Sequence, residues 1–68
     1  MAMTRDAAEA LAKQIGHDCP ECTVEGIRER HGSYVIDVRH TAQGAPFEVT
    51  SREDWEQRLR DGRLSPEP

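Results

Sequence analysis

Two cysteines and a nearby histidine are the side chains of this sequence best suited to chemistry. Cys19 and Cys22 are separated by Pro20 and Glu21, and His17 lies two residues before them. Thiolates and imidazoles are the preferred protein ligands of zinc, and two thiols at this spacing can also form or exchange a disulfide. The stretch therefore leaves three alternatives open: a metal site, a redox pair, or two small buried side chains.

The Cys-Pro-Glu-Cys turn resembles the zinc knuckle of zinc-ribbon proteins. The resemblance covers residues 17–22 alone and implies a structural zinc ion, which needs four ligands. No second pair of this kind exists, and Thr23 stands where ribbons usually carry glycine. The candidate ligands are Cys19, Cys22, His17 and His31, with His40 as a further donor. Because the sequence lacks a complete set of four ligands at the usual spacing, we expect no cofactor, with a bound zinc ion as the alternative.

A thioredoxin-like role is disfavoured by the position of the pair. Reactive Cys-x-x-Cys pairs lie at helix N-termini, whereas this pair follows a predicted helix and precedes a predicted strand. The negative end of that helix, together with Asp18 and Glu21, disfavours a thiolate. We prefer the interpretation that both cysteines are small buried side chains beneath the first helix, free or joined in a short-loop disulfide.

The sequence predicts a protein that is not an enzyme. It contains no nucleophile elbow, P-loop or dinucleotide fingerprint. Asp37 could orient His40 as a general base, but the two residues have opposite parity on one strand and therefore point to opposite faces. A domain of 68 residues also has little room for a closed substrate pocket.

The segment 33–40 is the element around which the chain is organised. One side of its alternating pattern carries Tyr34, Ile36, Val38 and His40, and the other carries Val35, Asp37 and Arg39. A period of two predicts a strand that is buried on one face. Turn residues flank it on both sides, so we expect the middle strand of a small sheet.

Two further strands are predicted around it. Residues 22–31 form the first, and a bulge at Gly26 would bring both Val24 and Ile27 to the core. Residues 45–50 form the third, with Phe47 and Val49 inward and Glu48 outward. Turns at residues 31–33 and 41–44 make the three strands sequential neighbours.

Capping signals predict a helix at each end of the chain. The first covers residues 5–15, with Thr4 as N-cap and Gly16 as a left-handed C-cap. The second begins after the Ser51 N-cap, which Asp54 completes as a shortened capping box, and ends at Gly62. Trp55 and Leu59 form its apolar stripe.

These elements predict an α+β domain in the order α-β-β-β-α. We expect a three-stranded antiparallel meander with both helices on its single apolar face, covering residues 1–64, and a disordered C-terminal tail at residues 65–68. The reverse face of the sheet would then carry Arg28, Arg30, Val35, Asp37, Arg39 and Glu48. For these charges a solvated face with cross-strand ion pairs is the simpler interpretation, but an open sheet face can also dock a protein.

Charge and hydropathy restrict the partners. The formal net charge is −4, which argues against a general nucleic-acid binder. No apolar run approaches the ~20 residues of a membrane span, and the acidic N-terminal segment does not resemble a signal peptide. We therefore expect a cytoplasmic protein that does not contact a membrane.

The sequence thus favours a small acidic module that binds another protein without catalysis. Phage- or mobile-element-encoded inhibitors, including anti-CRISPR proteins, share its size and charge only. The alternative is a zinc-stabilised domain built on Cys19, Cys22 and a histidine, which would contact nucleic acid weakly through Arg28, Arg30 and Arg39. Homodimerisation through the sheet face or an edge strand is a further expectation for so small a core.

Overall fold

The computed structural model describes residues 3–40 and 44–62. Its elements are α1 (Arg5–Asp18), β1 (Thr23–Arg30), β2 (Ser33–Arg39), β3 (Phe47–Val49) and α2 (Arg52–Asp61). The strands form one antiparallel sheet in the order β1-β2-β3, and both helices pack on the same side of it. The predicted fold is therefore confirmed. The tail at residues 65–68 and most of the second turn, residues 41–43, lie outside the described residues.

Helix α1 begins as predicted but ends later. The Thr4 hydroxyl accepts a hydrogen bond from the Ala7 amide at 3.1 Å, which is the expected N-cap. The prediction of a left-handed C-cap at Gly16 was wrong, because the helix runs through this residue to Asp18. The Cys19 amide still donates to the Ile15 carbonyl at 2.9 Å. The helix ends there because proline at the next position disfavours the helical conformation of Cys19.

The hairpin of β1 and β2 contains the predicted bulge. The register passes from Val24 opposite Val38 to Gly26 opposite Asp37, so one extra residue, Glu25, lies in β1. Val24 and Ile27 accordingly both pack against the core. The turn residues His31 and Gly32 both have positive φ, 53° and 78°, as a two-residue type I′ turn requires.

The segment from β3 into α2 follows the sequence signals closely. Phe47 and Val49 are buried, and the Ser51 hydroxyl accepts a hydrogen bond from the Asp54 amide at 3.0 Å. The Asp54 carboxylate reaches back to the amide of Thr50, one residue before the N-cap, and not to that of the cap itself. Gly62 ends the helix with a φ of 71°, in the predicted left-handed conformation.

The core lies between the helices and the sheet. Its largest completely buried side chains are Trp55, Leu11, Ile15, Ile36, Val38 and Val49. Trp55 of α2 also donates a hydrogen bond through Nε1 to Asp18 Oδ2 at 3.1 Å. This bond joins α2 to the last residue of α1, directly before the first cysteine. The core therefore fixes the position of the sheet, and the Trp55–Asp18 bond fixes the end of α1 from which the cysteine turn begins.

Candidate functional site

The outer sheet face is the side of the sheet that no described helix covers. It contains the six predicted residues Arg28, Arg30, Val35, Asp37, Arg39 and Glu48, together with Glu25 of the bulge. Strand alternation places them there, because their neighbours Ile27, Ile36 and Val49 point into the core. The register thus brings the six residues to one face, and their role in binding a partner stays a prediction.

An ion-pair chain crosses all three strands of the outer sheet face. Asp37 and Glu48 lie directly opposite each other on β2 and β3, where two negative charges repel. Arg28 of β1 bridges them: its Nε lies 2.8 Å from Asp37 Oδ2 and its Nη2 contacts Glu48. Arg30 contacts the other oxygen of Glu48. The hydrogen bond and charge of Asp37, aided by Glu48, raise the pKa of Arg28, which therefore stays protonated.

A separate pair closes the other end of the face. Arg39 donates through Nη2 to Glu25 at 3.1 Å and through Nη1 to the Gly44 carbonyl. It thus links the bulge of β1 to the chain that follows β2. With this pair, three arginines face three carboxylates, so the outer sheet face is electrically balanced.

The arginines are the outermost groups of the ion-pair chain. The side chains of Arg28 and Arg30 are 57% and 54% exposed, compared with 24% for Asp37 and 28% for Glu48. Val35 was expected as a contact residue of this face, but it is only 4% exposed and lies outside the core cluster. It pairs with Arg28 across the strands, so long charged side chains cover it. An approaching molecule would meet guanidinium groups first.

The cysteines form a second cluster at the C-terminal end of α1. The Cys22 amide donates to the Cys19 carbonyl at 2.9 Å, which closes a reverse turn over Pro20 and Glu21. The two residues are buried, their Cα atoms are 5.3 Å apart, and their sulfurs are joined in a disulfide. The expectation of two small buried side chains below helix α1, with a short-loop disulfide, agrees with this arrangement.

The histidine beside the cysteines is His40. Ligand atoms of Cys19, Cys22 and His40 all lie within 4.8 Å of one another, in the only such group of three among residues 3–40 and 44–62. The candidates His17 and His31 do not belong to it. His17 is exposed on α1, and His31 lies in the hairpin turn at the far end of the eight-residue strand β1, which rises ~26 Å.

His40 could have been selected from the strand pattern. It shares the parity of Ile36 and Val38, which places it on the helix side of the sheet. The register pairs Thr23 with Arg39, so the next position sets His40 beside Cys22. That register depends on the bulge, and proximity in sequence favours His17 instead.

No catalytic arrangement appears in the described part of the chain. Asp37 is bonded to Arg28 on the outer sheet face, whereas His40 lies beside the cysteines, so the two do not meet. A groove of about 280 Å³ lies between α1 and the start of α2. Its lining is mostly apolar, from Met3, Ala7, Ala10 and Leu11, with Ser51 and Arg52 at the rim.

No protein-family model, curated protein or solved structure matches this chain. Neither of the described helices is both long enough and apolar enough to cross a lipid bilayer.

Proposed function

We propose that this protein is a small non-catalytic module that docks another protein on its outer sheet face. The observation that carries the proposal is that both described helices pack on the opposite side of the sheet. Three strands with ordered charged side chains are thereby left open to solvent. An antiparallel sheet with one solvated face offers such a surface without rearrangement of its backbone.

The expected partner presents carboxylate groups. Arg30 bonds to Glu48 through Nη1 alone among the residues described, which leaves its Nε and Nη2 available as donors. The guanidinium fork matches a second carboxylate geometrically, and arginine is enriched among residues that dominate protein interfaces. The more exposed position of Arg28 and Arg30 relative to Asp37 and Glu48 supports the same partner chemistry.

The balance of charge on this face supports a protein partner over nucleic acid. Each of Arg28, Arg30 and Arg39 already pairs with a carboxylate. Nucleic-acid affinity depends on many unneutralised cations that displace counterions from phosphate, and a balanced face supplies few of them. A patterned but neutral face favours recognition by geometry, in which individual donors meet individual acceptors.

The edges of the sheet favour docking on the face over addition of a strand. Strand β1 carries a bulge and several charges at its edge, and β3 has only three residues. Bulges, charges and short edge strands all hinder pairing with another chain. A second copy of this protein would therefore also have to use the face.

Inhibition of the bound protein is the activity we propose for the complex. Its support is the small size of the chain and its net charge of −4. These properties are shared with phage-encoded inhibitors as a class.

A matched pair of arginine variants tests the docking surface. Tagged protein is recovered from cells that express it naturally, as the unchanged chain, Arg30→Ala and Arg5→Ala. Both arginines are exposed and each pairs with one glutamate, Glu48 or Glu9, but Arg5 lies on α1 away from the sheet face.

We expect a protein that co-purifies with the unchanged chain and with Arg5→Ala, and whose recovery falls about tenfold with Arg30→Ala. Equal recovery with both variants, or no enriched protein at all, would contradict the proposal. Circular dichroism of the purified variants checks that the Arg30→Ala effect is not a loss of folding.

A further inference from the structure

We propose that Cys19, Cys22 and His40 bind a zinc ion when the two thiols are reduced. This site is independent of the outer sheet face, because it lies on the helix side of the sheet, where α1 ends and β2 ends.

The three donors lie close enough together to share one metal ion. Their ligand atoms lie within 4.8 Å of one another. Around zinc, with Zn–S near 2.3 Å and Zn–N near 2.0 Å, tetrahedral angles separate such atoms by roughly 3.5 to 3.8 Å. Once the disulfide is reduced, the two sulfurs can separate, and the donors that lie furthest apart have to approach by about 1 Å. Two thiols held by one reverse turn indicate a metal site more strongly than three histidines or carboxylates at a surface would.

The backbone already holds the two sulfurs and the imidazole in position. The bond between the Cys22 amide and the Cys19 carbonyl fixes the turn, and the register of β1 with β2 sets His40 beside it. Little conformational entropy remains to be lost when an ion binds. The buried core residues Ile15 and Val38 anchor the elements from which the ligands project.

Burial and access both suit a bound cation. Cys19 and Cys22 are only 7% and 9% exposed, which shields zinc-thiolate bonds from water. The His40 side chain is 35% exposed and gives an entry path. Glu21 Oε2 lies 3.9 Å from His40 Nε2, so the fourth position is left to this carboxylate or to water.

Binding replaces two S–H bonds by two Zn–S bonds and releases two protons, while the neutral imidazole of His40 donates its lone pair. No electron transfer is involved. The disulfide form has no thiolates to offer, so the same chain in its oxidised form is a control that differs by one bond. Zinc would join the end of α1 to the end of β2 and stabilise a domain with a small core.

Cobalt(II) titration of the full chain tests this site, because cobalt adopts the zinc geometry and its thiolate complexes absorb light. Protein reduced with a phosphine is titrated with cobalt(II) and then with zinc(II), as the unchanged chain, His40→Ala, His17→Ala and His31→Ala. The last two remove the histidines that lie outside the cluster, and His40 is not a core residue, so all three variants should fold.

We expect each reduced chain to bind one cobalt ion, with an absorption band from thiolate-to-metal charge transfer. This band should disappear when zinc replaces the cobalt. His40→Ala should weaken binding at least about tenfold, whereas His17→Ala and His31→Ala should leave it unchanged. Oxidised protein should give no such absorption. Absence of the band in reduced protein, or equal affinity of His40→Ala and the unchanged chain, would overturn the proposal.

Discussion

At the scale of single residues, the bond between Trp55 and Asp18 shows how the core and the cysteine turn are connected. Trp55 is completely buried, yet its ring nitrogen finds an acceptor at the exposed end of α1. A buried indole N–H without a partner would cost stability, so the position of Asp18 matters for the core as well as for the turn that follows.

A double-mutant cycle measures this contact. Trp55→Phe, Asp18→Ala and the double variant are unfolded in urea and followed by far-ultraviolet circular dichroism, and the cycle cancels the volume lost from the ring. We expect a coupling energy of about 1 kcal/mol. Additive effects within ~0.3 kcal/mol would show that the hydrogen bond does not contribute to stability.

Residue-scale reasoning from sequence identified both N-caps, the Gly62 C-cap and the inward stripe of α2, but it missed some contacts between elements. Arg58 lies in the last turn of α2, and its guanidinium carbon is 4.7 Å from the centre of the Phe47 ring. Such a contact depends on how α2 crosses β3, which no local pattern specifies. His40, and not His17 or His31, lies beside the cysteines for a different reason, since its position follows from the strand parity of β2 and from the register that the bulge sets.

At the scale of elements, the end of α1 is the helix boundary that the sequence placed incorrectly, and β3 is shorter than predicted, Phe47–Val49 instead of residues 45–50. Gly16 resembles a C-cap by residue type, but its φ is not positive, the helix continues through His17 and Asp18, and Pro20 is the residue that stops it. Gly62 is the true left-handed cap of α2. The two glycines therefore differ in their own backbone conformation, because φ is positive at Gly62 and not at Gly16.

Alanine at the two glycines distinguishes these roles. Neither position has an atom within 4 Å of an added Cβ, so only the backbone conformation differs. Gly16→Ala should stabilise the protein by about 0.5–1 kcal/mol, because alanine favours the helical state. Gly62→Ala should destabilise it by about 1 kcal/mol, because its φ is positive. Urea denaturation measures the change in the free energy of unfolding of each variant. A destabilising effect of Gly16→Ala would contradict a helix α1 that continues through this residue.

The strand order and the layering were predictable at this scale for a physical reason. Short turns force sequential strands to be neighbours, and one apolar face must be covered by whatever elements remain. The bulge in β1 was also predictable, because Val24 and Ile27 can reach the same core only if one residue is inserted.

At the scale of the whole molecule, one face of the sheet packs against the helices to form the core, and the other face is open to solvent. Its extents are 29 × 23 × 20 Å, so the outer sheet face is a large part of what a partner can contact. The ion-pair chain of Asp37, Arg28, Glu48 and Arg30 orders that face before binding. Ordered side chains lose less entropy on binding, which supports their use in recognition.

The central claim, that the outer sheet face is the docking surface, is tested most directly by site-specific photo-crosslinking in cells that express the protein. A benzophenone side chain is placed at Thr23, which is exposed opposite Arg39 on the outer sheet face and whose replacement leaves the arginines in place, or, as the control, at Glu56 on the exposed side of α2. We predict an adduct with one other protein from position 23 and none from position 56. Adducts from position 56 alone, adducts only between copies of this chain, or no adduct from position 23 would contradict the claim.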